Sequence, residues 1–303
     1  MPRHLAIVGT TASGKSGLAL ELARTDPSIE LVSVDSMQVY RGMDIGTAKP
    51  TLAEQAEVHH HLIDLADPDD DYTGARFQAA FREAMADIDA RGARAVLVGG
   101  TALYLRAVVD DLTMPGQFPE ARAGIEAEPD TAALHARLAE LDPDAAGRME
   151  PSNRRRIVRA LEVTIGSGRP FSSYGPGLDV HPPTRFTLVG VELPVEVVAA
   201  RIEARYQQQL EHGFLDEVRA LASRPDGLSR TARQALGYRE LLRHVEEGES
   251  LEACVDDAVV RTRQMAARQR RWFRRDPRIE WLPVDRDPLE AMPSLIQVAT
   301  RQT

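Results

Sequence analysis

The octapeptide GTTASGKS, residues 9–16, follows the apolar run HLAIV and precedes GLALELA, whose apolar residues recur at helical spacing. It satisfies every fixed position of G-x-x-x-x-G-K-[ST], and it lies between a strand pattern and a helix pattern, the context its mechanism requires. Gly9 and Gly14 let the backbone curl so that successive N–H groups along Thr10, Thr11, Ala12 and Ser13 point inward. Lys15 supplies a charge for terminal phosphates, and Ser16 can ligate Mg2+. The helix that follows adds the positive end of its dipole. Such a loop holds a diphosphate or triphosphate, without naming the molecule that carries it.

The first third of the chain alternates short apolar runs (4–8, 29–34 and 93–99) with helical patterns (14–24, 74–91 and 101–110). That alternation predicts a parallel sheet covered by helices on both faces. Pro and Gly punctuate 112–124, a boundary signal. Only helical patterns follow from 125 to about 168, and a loop dense in Pro, Gly and Ser fills 168–184. A strand pattern resumes at 185–193, then long helices are expected over 195–223, 229–247 and 251–275, with a last strand at 278–284. The expectation is an α/β fold of the P-loop NTPase-like kind, with residues 1–111 and 181–303 as its core and 112–180 as an inserted all-helical domain.

A chain of 303 residues that is 43% hydrophobic can bury such a core. Its single cysteine, Cys254, excludes an intramolecular disulfide and suits a reducing compartment. The N-terminal apolar run is too short for a signal peptide, and no stretch approaches the ~18 apolar residues of a membrane span. A cytoplasmic protein with no membrane partner is expected. The net charge of −9 argues against a polyanionic partner, yet the charge is unevenly spread. Acid collects in 54–71, and arginine collects in 148–163 and 261–278.

An enzyme that transfers or hydrolyses a γ-phosphate normally carries an acidic residue for Mg2+ at the end of a second strand. The run ARAVLVGGT ends without a carboxylate, whereas LVSVDSMQVY delivers Asp35 just past its strand. Ligands of open α/β sheets bind at that edge, so Asp35 should face the phosphate loop across a crevice. In HHH, 59–61, adjacent histidines of an extended segment point to opposite sides and are not expected to converge on a metal. Tyr40, Tyr104 and Tyr238 read as core residues with polar tips. So does the stripe Ala258, Thr262, Met265, Gln269 and Trp272 on the last long helix.

Taken in order, GTTASGKS, SVDSMQVYRGMDIGTAKP (33–50), HHLIDL (60–65), VGGTALYL (98–105), RRRIVRALEV (154–163), GYRE (237–240) and TRQMAARQRRWFRR (262–275) resemble the motifs of the tRNA dimethylallyltransferases, or tRNA isopentenyltransferases. The resemblance runs from about Leu5 to Trp281, and 33–50 is its specific part. It implies transfer of a dimethylallyl group from dimethylallyl diphosphate to N6 of adenosine 37, next to the anticodon of tRNA. Diphosphate is released, and Mg2+ assists. It implies that Asp35 is the base, that Lys15 and the loop hold the diphosphate, and that Thr101 stands where the flipped adenine meets the donor. Asp35, Ser36, Met37, Gln38, Thr101, Arg122, Arg155, Arg156 and Arg159 match positions that touch tRNA. The implied partners are the tRNA anticodon stem-loop and dimethylallyl diphosphate, with no obligate protein partner. One departure is Gly-Thr-Thr where the family usually has Gly-Pro-Thr; Thr10 is not a fixed position.

Arg155 and Arg159 stand i, i+4 on one helical face, a grip for a polyanion, while Arg154 and Arg156 point elsewhere. Arg268, flanking the stripe on the last long helix, is assigned to RNA, and Arg205 to a place beside the diphosphate. Three other readings stay open on the residues alone. They are a small-metabolite kinase, a prenyltransferase for free adenine nucleotides, and an RNA-binding switch gated by nucleotide.

Overall fold

A computed structural model describes residues 4–175 and 177–300. They fall into two compact units, Met1–Val109 with Pro183–Thr303, and Asp110–Pro182. Six parallel strands build the first: β1 (His4–Val8), β2 (Ile29–Ser33), β3 (His60–His61), β4 (Arg94–Gly99), β5 (Phe186–Glu192) and β6 (Ile279–Pro283), in the order β3-β2-β4-β1-β5-β6. Every residue of β1 and β2 is buried, as befits strands covered on both faces. The helices of this unit are α1 (Lys15–Thr25), α2 (Leu52–Glu57), α3 (Gly74–Ala90) and α4 (Ala102–Val109) before the insertion.

The second unit contains α5 (Pro119–Glu126), α6 (Thr131–Leu141), α7 (Pro143–Gly147) and α8 (Arg154–Ser167). Ile125, Leu134, Leu138, Ile157 and Leu161 form a core of its own. Glu162 on α8 is almost fully buried, and it accepts the Phe118 N–H at 2.9 Å and pairs with both Arg122 and Arg159. Back in the first unit come α9 (Val195–Glu211), α10 (Phe214–Ala222), α11 (Arg230–Arg233), α12 (Tyr238–Glu247), α13 (Leu251–Phe273) and α14 (Met292–Thr300).

The observed elements differ from the sequence expectation in length more than in kind. The helix expected over 195–223 breaks at Gly213, and that over 229–247 breaks at Gly237; both glycines have positive φ, 94° and 87°. Both breaks are stabilised by packing that no local pattern reveals. Phe214, fully buried, meets the Tyr238 ring edge-on at 4.9 Å between centroids. The boundary segment 112–124 holds the start of α5, with Pro119 in its first turn. The short β3 and α2 carried too few residues for periodicity to register.

Candidate active site

The register of the sheet makes the site. Val8 lies opposite Gly99, and Ser33 opposite Val98, so β1, β2 and β4 end at one level. The loop after β1, the turn at Asp35 and the turn at Gly100 therefore emerge side by side. Their approach is close enough to demand glycine: a Cβ on Gly99 would stand 2.1 Å from the Val34 carbonyl oxygen.

GTTASGKS forms a tight loop closed by the Ser13 N–H donating to the Thr10 carbonyl at 3.2 Å, and it feeds directly into α1. Gly14 has φ of 80°, and a Cβ there would also strike Pro288. Lys15 folds back over the loop and donates from Nζ to the Thr10 carbonyl at 3.0 Å. Burial pulls its pKa from 10.5 down to about 8; the Asp35 carboxylate opposes that shift, and the Arg205 guanidinium adds to it. Ser16 is exposed at the start of α1, and its hydroxyl bonds no other described residue.

Two arginines of α9 lean on the loop. Arg201 donates to the Ala12 carbonyl at 2.8 Å. Arg205 reaches both the Thr11 hydroxyl at 3.4 Å and the Gly46 carbonyl at 3.2 Å, and burial lowers its pKa. Across the cavity, Asp35 Oδ1 accepts the N–H groups of Met37 at 2.8 Å and of Gln38 at 3.4 Å. Its Oδ2 bonds no described residue. The Thr101 hydroxyl accepts the Ser36 N–H at 3.2 Å, tying the β4 turn to the β2 turn. Gln38 is engaged from both sides, by the Ser33 hydroxyl and by the carbonyls of Thr47 and Ala48. Lys15, Ser16, Asp35, Thr101 and Arg205 all line one cavity of about 340 Å3.

The wall 43–50 of that cavity hangs on α10. Glu217 accepts the N–H groups of Asp44, Ile45 and Gly46 at 2.9, 2.8 and 3.2 Å, and the Tyr238 hydroxyl donates to it at 2.5 Å. Lys49, buried, bridges Asp44, Asp64 and the Tyr40 carbonyl. Neither role was legible in the sequence, because each partner lies far along the chain or in an irregular loop. Tyr40, Tyr104 and Tyr238 are buried, and the hydroxyls of Tyr40 and Tyr238 are hydrogen-bonded.

The stripe on α13 divides. Ala258 and Thr262 are buried as a core stripe should be, while Thr262, Met265 and Gln269 line the cavity. Arg268, one residue from Gln269, is exposed. In the helical unit Arg155 and Arg156 are exposed and make no ion pair among the described residues. Arg159 is committed to Glu162 at 2.6 Å and to the carbonyls of Pro115 and Gly116, and Arg122 to Glu126 and Glu162. Arg154 donates to three carbonyls at the end of α5 and the loop after it.

The expectation that the three histidines cannot converge needs correction. His59 and His61, two apart on an extended segment, share one side and stack at 4.2 Å, beside Glu30 on β2. Their ligand atoms lie within 4.8 Å of one another. With ring planes only 7° apart, however, the two in-plane lone pairs do not aim at a common point, and Arg91 already forks onto Glu30. That fork and the His61 hydrogen bond hold the Glu30 pKa down to about 2, against burial.

The strand order, the glycine-lysine loop at the end of β1 and the carboxylate at the end of β2 define a P-loop NTPase-like protein of the parallel α/β class. A family model described as IPP transferase matches residues 38–276. A tRNA dimethylallyltransferase of Kineococcus radiotolerans is 47% identical over 298 residues, covering 94% of this chain and 93% of its own. Among solved structures, the full-length tRNA isopentenylpyrophosphate transferase of Bacillus halodurans is 33% identical with a TM-score of 0.71, over 100% of this chain and 98% of that one. A eukaryotic dimethylallyltransferase acting on tRNA reaches a TM-score of 0.79 at 26% identity, over 99% of this chain and 78% of that one. The chain belongs to the IPP transferase family. No helix among the described residues is long and apolar enough to cross a membrane.

Proposed function

We propose that this protein transfers a dimethylallyl group from dimethylallyl diphosphate to N6 of adenosine 37, beside the anticodon of tRNA, in the cytoplasm. The observation that carries the reading is one cavity with two differently equipped sides: a phosphate loop with Lys15 on one, and Asp35 with a free Oδ2 on the other. The names of the relatives above support it.

The chemistry asks for a good leaving group and an activated amine. The N–H groups at the start of α1, the Lys15 ammonium and Arg205 would meet the charge that develops as the C–O bond breaks and diphosphate departs with the electron pair; the Thr11 and Ser13 N–H groups, expected to point inward, are bonded to Gln269 and to the Thr10 carbonyl instead. The N6 lone pair forms the new C–N bond, and Asp35 Oδ2 takes the N6 proton, the role of a general base. Asp35 is held for that by the two N–H groups that fix its other oxygen. Thr101 and Ser36 to Gln38 form the rim the flipped adenine would pass, since a base must leave its stack to react. The unbonded Ser16 hydroxyl beside the loop is a hard oxygen donor of the kind Mg2+ accepts, and the ion would neutralise diphosphate charge there. A kinase reading is disfavoured because β4 ends in Gly99, followed by Gly100 and Thr101, without the carboxylate that phosphoryl transfer normally uses.

The inserted unit, Asp110–Pro182, is proposed to grip the RNA. Arg155 and Arg156 are two of its exposed cations that make no ion pair among the described residues, with Arg268 added from α13. Arg122 and Arg159 would reach a phosphate only by exchanging Glu162 for it. The deciding experiment is mass spectrometry of tRNA nucleosides after incubation with dimethylallyl diphosphate and Mg2+. N6-dimethylallyladenosine at position 37 is the expected product. ATP consumption with a small acceptor, or equal transfer to free adenine nucleotides, would replace this reading.

A further inference from the structure

Gln269 is tied to both halves of the cavity at once. Its Oε1 accepts the N–H of Thr11, inside the phosphate loop, at 2.8 Å, and its Nε2 donates to the carbonyl of Gly100, just before Thr101, at 2.8 Å. The two bonded residues come from loops after different strands, and Gln269 reaches them from α13, 258 and 169 residues away in sequence. The bridge is possible because residue 100 has no side chain: a Cβ on Gly100 would stand 2.6 Å from Gln269 Nε2. The helix face that presents the amide is itself pinned, one and two turns earlier. Met265 borders the cavity, and the Thr262 hydroxyl is hydrogen-bonded to the Tyr206 hydroxyl at 2.9 Å.

We infer that Gln269 is a positioning residue that sets the distance between the phosphate loop and the turn carrying Thr101, and so between the donor carbon and the amine that attacks it. The inference rests on the transfer reading above. A displacement at carbon needs its two reactants aligned to a fraction of an ångström, and a misplacement of about 1 Å costs about 10²-fold in rate. The amide bonds neither Lys15 nor Asp35, so its removal leaves those two side chains with their own partners. Both bonds end on backbone, which makes the bridge insensitive to the side chain at residue 11.

Gln269→Met keeps length and apolar packing while deleting both bonds. Gln269→Glu keeps an acceptor for the Thr11 N–H and loses the donor to Gly100. Gly100→Ala leaves Gln269 in the chain but displaces its amide. The expected result is a kcat about 10²-fold lower for Gln269→Met and Gly100→Ala, with KM for tRNA and Kd for inorganic diphosphate each within about threefold of wild type. Gln269→Glu should also lose kcat, because one bonded end is not a bridge. Unchanged kcat in Gln269→Met, or a diphosphate Kd and a melting temperature that worsen in step with kcat, would overturn the inference and leave Gln269 as a support for the loop alone. A wild-type chain that transfers nothing would overturn the function reading and this inference with it.

Discussion

At the scale of single residues, the site works through where two charges are held. Lys15 is half-buried against its own loop, and its pKa of about 8 makes phosphate binding depend on pH. Below pH 8 the free protein carries the ammonium, and diphosphate binds at full strength. Above it, binding must take up a proton, so the Kd for inorganic diphosphate should rise about fivefold between pH 8 and pH 9. Lys15→Arg should flatten that rise, which separates it from the ligand's own titration in the same calorimetric series. Because the folded pKa lies below the unfolded one, the ammonium costs stability below pH 8, a cost that fades as pH climbs toward 10.5. Lys15→Met should accordingly unfold at higher urea at pH 7, by about 1–3 kcal/mol, while losing diphosphate affinity. Asp35→Asn preserves an acceptor for the Met37 and Gln38 N–H groups and removes the carboxylate proposed as the base. Its kcat should fall by about 10²–10⁴ with tRNA affinity retained; near-normal turnover would remove Asp35 from the reaction.

At the scale of elements, the wall at 43–50 matters most, because it has no regular structure of its own to hold it. Three consecutive N–H groups converge on the Glu217 carboxylate as they would on an anion at a helix start, and Gly46 is pressed against the Phe214 and Tyr238 rings. Glu217→Gln would turn an amide donor toward those donors. It should cost about 2–4 kcal/mol in urea titration, and raise KM for both substrates if the wall moves. A loss under about 0.5 kcal/mol would show that the wall stands without it. Here the limits of the sequence are concrete. DIGTAKP marks a specific segment, but Glu217 sits inside what reads as one helix over 195–223. Only the turn at Gly213 re-aims α10 so that this carboxylate meets the segment.

At the scale of the whole molecule, a chain with net charge −9 must present its cations locally to hold RNA. Arg155 and Arg156, exposed on α8, are the cations proposed for that task, whereas Arg122 and Arg159 are paired with the buried Glu162. Replacing both Arg155 and Arg156 with Ala should weaken tRNA binding. It should also reduce the slope of log affinity against log salt by about 0.7 per lost phosphate contact, with dimethylallyl diphosphate affinity unchanged. Lost donor affinity with intact tRNA binding would place these cations in the wrong role. Replacing Glu162 with Gln tests the opposite sense, since it frees Arg122 and Arg159 at the expense of the core of that unit.

The sequence by itself determined the parts whose physics is local. Glycine and lysine spacing dictates a phosphate loop, uniformly apolar runs dictate buried parallel strands, and Asp35 follows its strand directly. Tertiary structure alone decided what those parts do to one another. Strand register brings the ends of β1, β2 and β4 level, and α13 delivers Gln269 across 258 residues to a backbone N–H. Backbone partners and long-range hydrogen bonds leave no periodicity to read, because the chemistry they use is present at every residue.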